Sequence, residues 1–250
     1  YIDIMREFIG SRHKKVVLGN TQLANALIPA VAARDLPGMA DIDSSMLLFC
    51  REIKKDFTVA VSGECADELF GGYPWYFDKV ALESHCFPWS PNIDVRRQIA
   101  RPEFCKDGEE YLQAEYRDTL TLAEGLEGES PEDKRMREMF VLNYFWFMQT
   151  LLERKDRMSM ACGLEVRVPF CDHRVVEYAY NLPWQLKSLG GREKGLLRKA
   201  MEPILPPVIA KRKKSPYPKT HHPEYFAILV RWMRQILKDP SSPVLALIDP

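Results

Sequence analysis

Two short apolar runs in the first third of the chain predict buried strands, and the stretches beside them predict helices. The strands are expected over residues 14–20 and 57–61. Apolar residues recur at helical spacing over 21–38, with Thr21 as the N-cap, and again over 42–55. This order is typical of a parallel α/β sheet. Two strands are too few for a stable open sheet, so the sheet is expected to be incomplete.

The remaining two thirds of the sequence predict a mostly helical structure. A long helix is expected to start after Ser130 as the N-cap, and its apolar middle indicates burial among other helices. Asp172 is expected to cap a later helix that follows an extended turn. The other expected helices cover 108–126, 192–203 and 224–238. We therefore divide the chain into an α/β part, 1–80, and a mostly helical part, 81–250.

Composition and charge restrict the classes of partner. The chain has 250 residues, of which 46% are hydrophobic, and this is enough for one large domain or two small ones. The 35 basic and 35 acidic residues give a formal net charge of zero, which argues against bulk binding of nucleic acid or of an anionic membrane. No apolar run approaches the ~18 residues that a membrane span needs. Any phosphate chemistry would therefore depend on a local site.

The cysteines and the first residues indicate the compartment. The six cysteines are irregularly spaced and form no CxxC pair, a pattern typical of reduced thiols. The opening residues lack the charged, apolar and cleavage regions of a signal peptide. The expected location is the cytoplasm.

Three carboxylates come directly after the second predicted strand, in "VSGECADELFGGYPW". Glu64, Asp67 and Glu68 follow Ser62 and Gly63, at the end of a strand where α/β sheets bind their ligands. On a helix the three acids would share one face. Their mutual repulsion would offset part of the ~0.3–1 kcal/mol that a helix dipole gives each acid. A Mg²⁺ ion held by carboxylates and phosphate oxygens would reconcile the charges. Ordinary first-turn acids are the alternative, and the spacing leaves both open.

Four ordered stretches carry a resemblance to a known family. They are "ARDLPGMADIDSS" (33–45), "SGECADELFGGYPW" (62–75), "RKDRMSMACGLEVRVPFCDHRVVEYAYNLP" (154–183) and "KGLLRKAMEPILPPVIAKRKKSPYP" (194–218). Together they resemble the C-terminal synthetase domain of glutamine-hydrolysing asparagine synthetases. The resemblance implies an incomplete parallel sheet of the adenine nucleotide α-hydrolase, or ATP-pyrophosphatase, type. It also implies that ATP and Mg²⁺ activate aspartate as an aspartyl-adenylate, from which ammonia displaces AMP.

The resemblance also implies roles for individual residues. Ser62 and Gly63 would contact ATP, and Asp67 would ligate Mg²⁺. Glu64 would support adenylate formation and the attack of ammonia. Lys214 would stabilise negative charge on the phosphate, as preorganised cations do in such reactions.

Some parts of the family pattern are not found in this sequence. The Ser-Gly-Gly-x-Asp-Ser pyrophosphate loop and the N-terminal glutaminase domain are missing, so we expect the chain to be the C-terminal part of a longer enzyme and to be inactive alone. The expected partners are aspartate, ATP, ammonia from glutamine, the glutaminase domain, and in some arrangements a second copy in a homodimer. The alternatives are a β-lactam-forming synthetase, an amidator of another carboxylate, and a non-catalytic nucleotide-binding module.

Other charged residues keep two interpretations each. Lys213 competes with Lys214 for the catalytic position, because the alignment is made by eye. Charged residues in 154–167 predict either an internal charge network or contacts with aspartate or phosphate. Asp43 is expected to be the N-cap of the second helix, and the alternative is contact with the amino group of aspartate. The aromatic residues of 73–77 are expected to pack in the core.

Overall fold

A small parallel sheet sits among many helices. The computed structural model describes residues 1–36, 38–215 and 222–249, and in the first helix after the gap at 37 it leaves out the side chains at 40 and 41. The sheet consists of β1 (Val59–Val61) and β2 (Glu165–Arg167), which pair in parallel. A mostly helical chain with a small parallel sheet is the incomplete α/β arrangement that the sequence predicts.

The helices have short connections and vary widely in length. In chain order they are α1 (Ile2–Ile9), α2 (Asn20–Asn25), α3 (Leu27–Arg34), α4 (Ala40–Lys54), α5 (Ala66–Phe70), α6 (Lys79–Glu83), α7 (Asp94–Arg97), α8 (Pro102–Cys105), α9 (Gly108–Leu120), α10 (Pro131–Leu142), α11 (Gln149–Met160), α12 (His173–Tyr180), α13 (Trp184–Lys187), α14 (Gly195–Met201), α15 (Pro207–Ala210) and α16 (Pro223–Lys238). Short 3₁₀ turns cover Pro74–Tyr76, Pro169–Cys171 and Pro243–Ala246. Across the described ranges, no helix combines the length and the apolar character that crossing a bilayer would require.

The strand predicted over 14–20 is wrong. These residues form no strand, and α2 already begins at Asn20 with Gly19 as its N-cap, so Thr21 is not the cap. A strand needs a neighbour for its backbone hydrogen bonds. In this structure β1 pairs with β2, and the side chain of Val17 is 88% exposed. The apolar residues in 14–20 therefore do not indicate a buried segment.

The helix predicted over 21–38 is broken in two by Pro29. A proline inside a helix has no N–H to donate, and its ring clashes with the carbonyl four residues earlier. That earlier residue is Asn25, where α2 ends, and α3 starts again at Leu27. Pro37, which was expected near the end of this helix, lies outside the described residues.

The long helix predicted after Ser130 is present but contains a wider turn. The Ser130 hydroxyl accepts a hydrogen bond from the Asp133 N–H, which confirms the N-cap. Residues Asn143–Met148 form a π-helical turn between α10 and α11. Such turns widen a helix locally and change which side chains face the core. The sequence predicted the helix but not this turn.

A large aromatic cluster forms the main core and packs beneath α5. Tyr76 stacks on Phe140 and on Trp184, with ring centroids 4.7 and 5.8 Å apart. Tyr73 stacks on Trp75 at 4.3 Å. Residues 73–77 were expected to pack in the core. Tyr76, which is 1% exposed, does so, whereas Phe77 is 43% exposed. The cluster gives the loop before α5 a rigid support.

One buried charge lies in this core. The Lys187 ammonium lies 3.5 Å from the centre of the Phe140 ring, and the residue is only 1% exposed. Burial, with a smaller contribution from Arg137, lowers the pKa of Lys187 to about 7. Between about pH 7 and 10.5, the unfolded chain therefore holds a proton that the folded chain has released.

We expect Lys187→Met to stabilise the fold at neutral pH by roughly 1–4 kcal/mol, because it removes an unpaired buried charge. Because the pKa of Lys187 is lowered in the folded state, the free energy of unfolding of the wild type rises with pH between about pH 7 and 10.5. The difference in free energy of unfolding between Lys187→Met and the wild type should therefore shrink towards about pH 10.5. Urea unfolding at a series of pH values measures this difference. Lys199→Met, at a lysine whose side chain is 65% exposed, is the control. A difference in free energy of unfolding between wild type and Lys187→Met that does not change with pH would contradict the expectation.

Candidate functional site

The end of β1 forms one edge of the site. The Ser62 N–H donates to the Arg167 carbonyl at 2.9 Å, which extends the parallel pairing past the strand. The 163–171 stretch, expected to be an extended turn, therefore contains β2, a strand too short for its pattern to be recognised. Gly63 follows in open space, where a side chain would meet no atom within 4 Å. Backbone is thus accessible at the carboxyl end of the sheet.

The three carboxylates do not share a helical face, so that prediction is wrong. Cys65 adopts a left-handed conformation with φ 72° and serves as the N-cap of α5. Glu64 therefore lies before the helix, while Asp67 and Glu68 lie in its first turn. Burial raises the pKa of the Cys65 thiol far above its usual range, so this thiol is not poised as a nucleophile.

Glu64 pairs with a lysine from α11. Its Oε1 lies 3.3 Å from Lys155 Nζ. Its other oxygen, Oε2, is buried and has no hydrogen-bond partner among the described residues. A buried carboxylate oxygen without a partner is costly. This oxygen is therefore available to a proton or a cation.

Asp67 is the centre of the site. Its Oδ1 lies 2.9 Å from Lys194 Nζ, and its Oδ2 lies 2.8 Å from Lys214 Nζ. The three side chains are 22–27% exposed, so these ion pairs are only partly screened by water. The structure thus brings the predicted residues Asp67 and Lys214 into direct contact.

Glu193 and Arg198 hold the two lysines in place. The Arg198 guanidinium donates to Glu193 Oε1 at 2.7 Å and to the Ala210 carbonyl at 2.8 Å. The Lys214 N–H donates to the same Glu193 oxygen at 3.3 Å. These bonds fix the basic loop 211–214 against the start of α14, next to Lys194.

Glu68 has a different role from the other two acids. It is 1% exposed and accepts a hydrogen bond from the Tyr73 hydroxyl. Burial raises the pKa of its carboxyl above the usual range. The Lys214 ammonium lies 4.1 Å from the centre of the Tyr73 ring. Tyr73 therefore connects the buried acid to Lys214.

Gly72 allows the loop to close tightly on Asp67. Its N–H donates to the Asp67 carbonyl at 2.7 Å. A Cβ built on Gly72 would overlap the Asp67 carboxylate. Gly72 is thus explained by contact with the candidate metal ligand, and Gly71 by its φ of 66° and its contact with Trp184.

Arg154 belongs to an internal charge network, whereas Lys155 pairs with Glu64 of the site. Arg154 Nε lies 3.1 Å from Asp43 Oδ1, and Arg34 Nη1 lies 3.4 Å from Asp43 Oδ2. Asp43 is buried inside α4, where Met39 is the N-cap, so the prediction of Asp43 as N-cap is wrong. The Asp43 carboxylate forms ion pairs with the two arginines and does not cap the helix.

The two neighbouring lysines differ in burial and in their contacts. Lys213 is exposed, whereas Lys214 is half buried against Asp67. A cavity of about 550 Å³ opens beside them, lined by both lysines, Gly72, Tyr73 and Glu193. Cavities of this size hold nucleotide-sized ligands. The sequence reasoning missed Lys194, because no spacing relates it to an acid so far away in the chain.

The acids present fit a magnesium ion only in combination with a ligand. Across the described residues, no group of three or more His, Cys, Asp or Glu side chains is placed to hold a metal. Mg²⁺ commonly takes one or two carboxylates and completes its shell with phosphate oxygens and water. Asp67 and Glu64 are two such carboxylates, and Glu64 Oε2 has no hydrogen-bond partner among the described residues.

Comparison with known proteins places this geometry in context. The family model described as "Asparagine synthase" matches residues 1–250. The chain is 51% identical to "Asparagine synthetase [glutamine-hydrolyzing] 3" of Bacillus subtilis over its whole length, and 30% identical to "Asparagine synthetase [glutamine-hydrolyzing] 1" of that organism over 96% of its length. It is 27% identical to the human "Asparagine synthetase [glutamine-hydrolyzing]" over 78% of its length. The chain spans only 41%, 44% and 27% of these relatives.

We expect Gly72→Ala to destabilise the protein by about 1–3 kcal/mol, as overpacking does. The added methyl group must displace the Asp67 carboxylate from Lys194 and Lys214. Gly63→Ala is the matched control, because its methyl group enters open space. Urea unfolding of the two variants measures the difference. Equal stability of Gly72→Ala and wild type would show that the loop is looser than described.

Proposed function

We propose that this chain, which belongs to the asparagine synthase family, carries the adenylate-forming site of a glutamine-dependent asparagine synthetase. The full-length enzyme would convert aspartate to asparagine at the expense of ATP. The aspartate side-chain carboxylate attacks the α-phosphate and pyrophosphate leaves. Ammonia then attacks the acyl carbon, AMP leaves, and the added nitrogen loses a proton.

One observation carries the proposal: Asp67 stands between two lysines at the carboxyl end of β1. Adenylate formation moves negative charge onto pyrophosphate and concentrates it around the α-phosphate, so it needs cations already in place. A lysine ammonium is a compact charge on a flexible stem. Lys214 can therefore pass from Asp67 to a phosphate oxygen by a small side-chain rotation, and we assign it that role.

The neighbouring residues fit the roles expected from the family. Gly63, with no side chain and open space around it, lets a nucleotide approach the backbone, and Ser62 holds that backbone to β2. Glu64 keeps Oε2 free of protein donors. We propose that this oxygen accepts the proton lost by ammonia, while Lys155 holds the other oxygen of the same carboxylate.

Magnesium is proposed on Asp67. When bound, Mg²⁺ supplies positive charge to the phosphate oxygens of ATP. The Asp67 carboxylate would hold the ion once a lysine has moved to the phosphates. The ion pairs with Lys194 and Lys214 keep this carboxylate compensated in the absence of ligand.

Partners and location follow from the relatives and from the thiols. The printed names of the relatives describe glutamine-hydrolysing enzymes, so we propose that ammonia comes from a glutaminase domain in the full-length protein. All six cysteines are free, which supports the cytoplasm. The homodimer stays a prediction.

We expect Asp67→Asn, Glu64→Gln and Lys214→Met to reduce aspartate-dependent exchange of pyrophosphate into ATP by the full-length enzyme at least ~100-fold, the usual cost of removing one charged group that stabilises a transition state. Exchange reports adenylation without ammonia, so a loss confined to asparagine formation in Glu64→Gln would assign that residue to the amination step alone.

Lys213→Met is the matched control for Lys214→Met. Lys213 is exposed, so its loss should change exchange by no more than a few-fold. If Lys214→Met kept full exchange activity and Lys213→Met were inactive, the catalytic lysine would be Lys213 and not Lys214. Exchange that depends on another carboxylic acid and not on aspartate would contradict the proposed acceptor.

A further inference from the structure

A second cavity lies behind the aromatic layer of the core. It has a volume of about 260 Å³ and is lined by the 126–129 loop, one face of α10, and the residues from the end of α12 to α13. Phe140, Leu182 and Trp184 form its apolar wall. Trp184 also packs against Gly71, so the cavity is separated from the lysine and carboxylate cluster by a single aromatic layer.

Lys187 lines this cavity and is the unusual residue in it. Its ammonium lies over the Phe140 ring and makes no hydrogen bond or ion pair with any residue in the described part of the chain, although the residue is 1% exposed. A buried ammonium without partners is strongly unfavourable. A cavity beside such a group is a place where an anion would compensate the charge.

Two other charged groups around the cavity, Arg137 and Asp133, have hydrogen-bond partners. Arg137 donates from Nε and Nη2 to Glu129 Oε1, at 2.9 and 2.7 Å. Asp133 accepts from Gln185 Nε2 at 3.0 Å and from the Ser130 hydroxyl at 2.8 Å. Lys187 is therefore the one positive charge in this described set that has no carboxylate partner.

We infer that this cavity binds a small monocarboxylate, with its carboxylate on the Lys187 ammonium and its apolar part against Phe140 and Trp184. A single negative charge matches this one positive charge, and hydrogen bonds between ammonium and carboxylate are the strong, charge-assisted kind. Glu127 and Asp133 also line the cavity and would repel a more highly charged anion. The volume is smaller than that of cavities for drug-sized ligands, which favours a small acid.

Binding should depend on the protonation of Lys187. The pKa of this group is about 7 in the free protein, lowered first by burial and then by Arg137. The other titratable groups around the cavity are Glu127, Glu129, Asp133 and Tyr180. Well above pH 7, affinity should therefore fall about ten-fold for each pH unit.

Benzoate titrated into the full-length protein and followed by calorimetry tests this inference. We expect saturable binding at about pH 6, at least ~10-fold weaker binding of benzamide, the neutral isostere, and the pH dependence just described. Lys187→Met should abolish benzoate binding. Lys199→Met, at an exposed lysine paired with Glu202, should retain it.

Four results would each overturn the inference. They are an absence of saturable benzoate binding, equal binding of benzamide, undiminished binding to Lys187→Met, and inorganic phosphate binding as tightly as benzoate. If Lys187→Met does not fold, the pH profile and the benzamide comparison on the wild-type protein decide instead. Asparagine formation is not measured, so the outcome is independent of the proposed function.

Discussion

The ion pairs of Asp67 with Lys194 and Lys214 hold the site together. They join three segments that are far apart in sequence: α5, the residue before α14, and the basic loop after α15. The partial burial of these groups makes each pair stronger than one on the surface. Any anion that enters the site competes with Asp67 for the same two ammonium groups, so the contact that orders the site is also the one that a phosphate would exchange.

The core behind this cluster explains why it stays in place. Gly71 packs against Trp184, and Gly72 lies against the Asp67 carboxylate, so backbone approaches side chain closely on both sides of the loop. Tyr73 joins the buried Glu68 to the face that Lys214 covers. The loop after α5 is therefore fixed by packing, while Lys194 and Lys214 reach Asp67 from other segments of the chain.

The sequence predicted the parts of this structure that depend on local pattern. The Ser130 and Asp172 caps and the strand expected over 57–61 are read from neighbouring residues. Both caps are confirmed, and the strand is present over the shorter range Val59–Val61. Long-range contacts were harder to predict. Asp43 was expected at a helix end because nothing near it in sequence indicates that Arg154 would need it. Lys194 was missed for the same reason, and family resemblance, not spacing, identified Lys214.

The central claim is that Asp67 exchanges a lysine for a phosphate-bound cation. A structure of the full-length enzyme with Mg²⁺ and a non-hydrolysable ATP analogue tests it most directly. The account predicts a phosphate oxygen within about 3 Å of Lys214 Nζ, with at least one of the two Asp67 ion pairs broken. A triphosphate bound elsewhere, with Asp67 still 2.8–2.9 Å from both lysines, would contradict it.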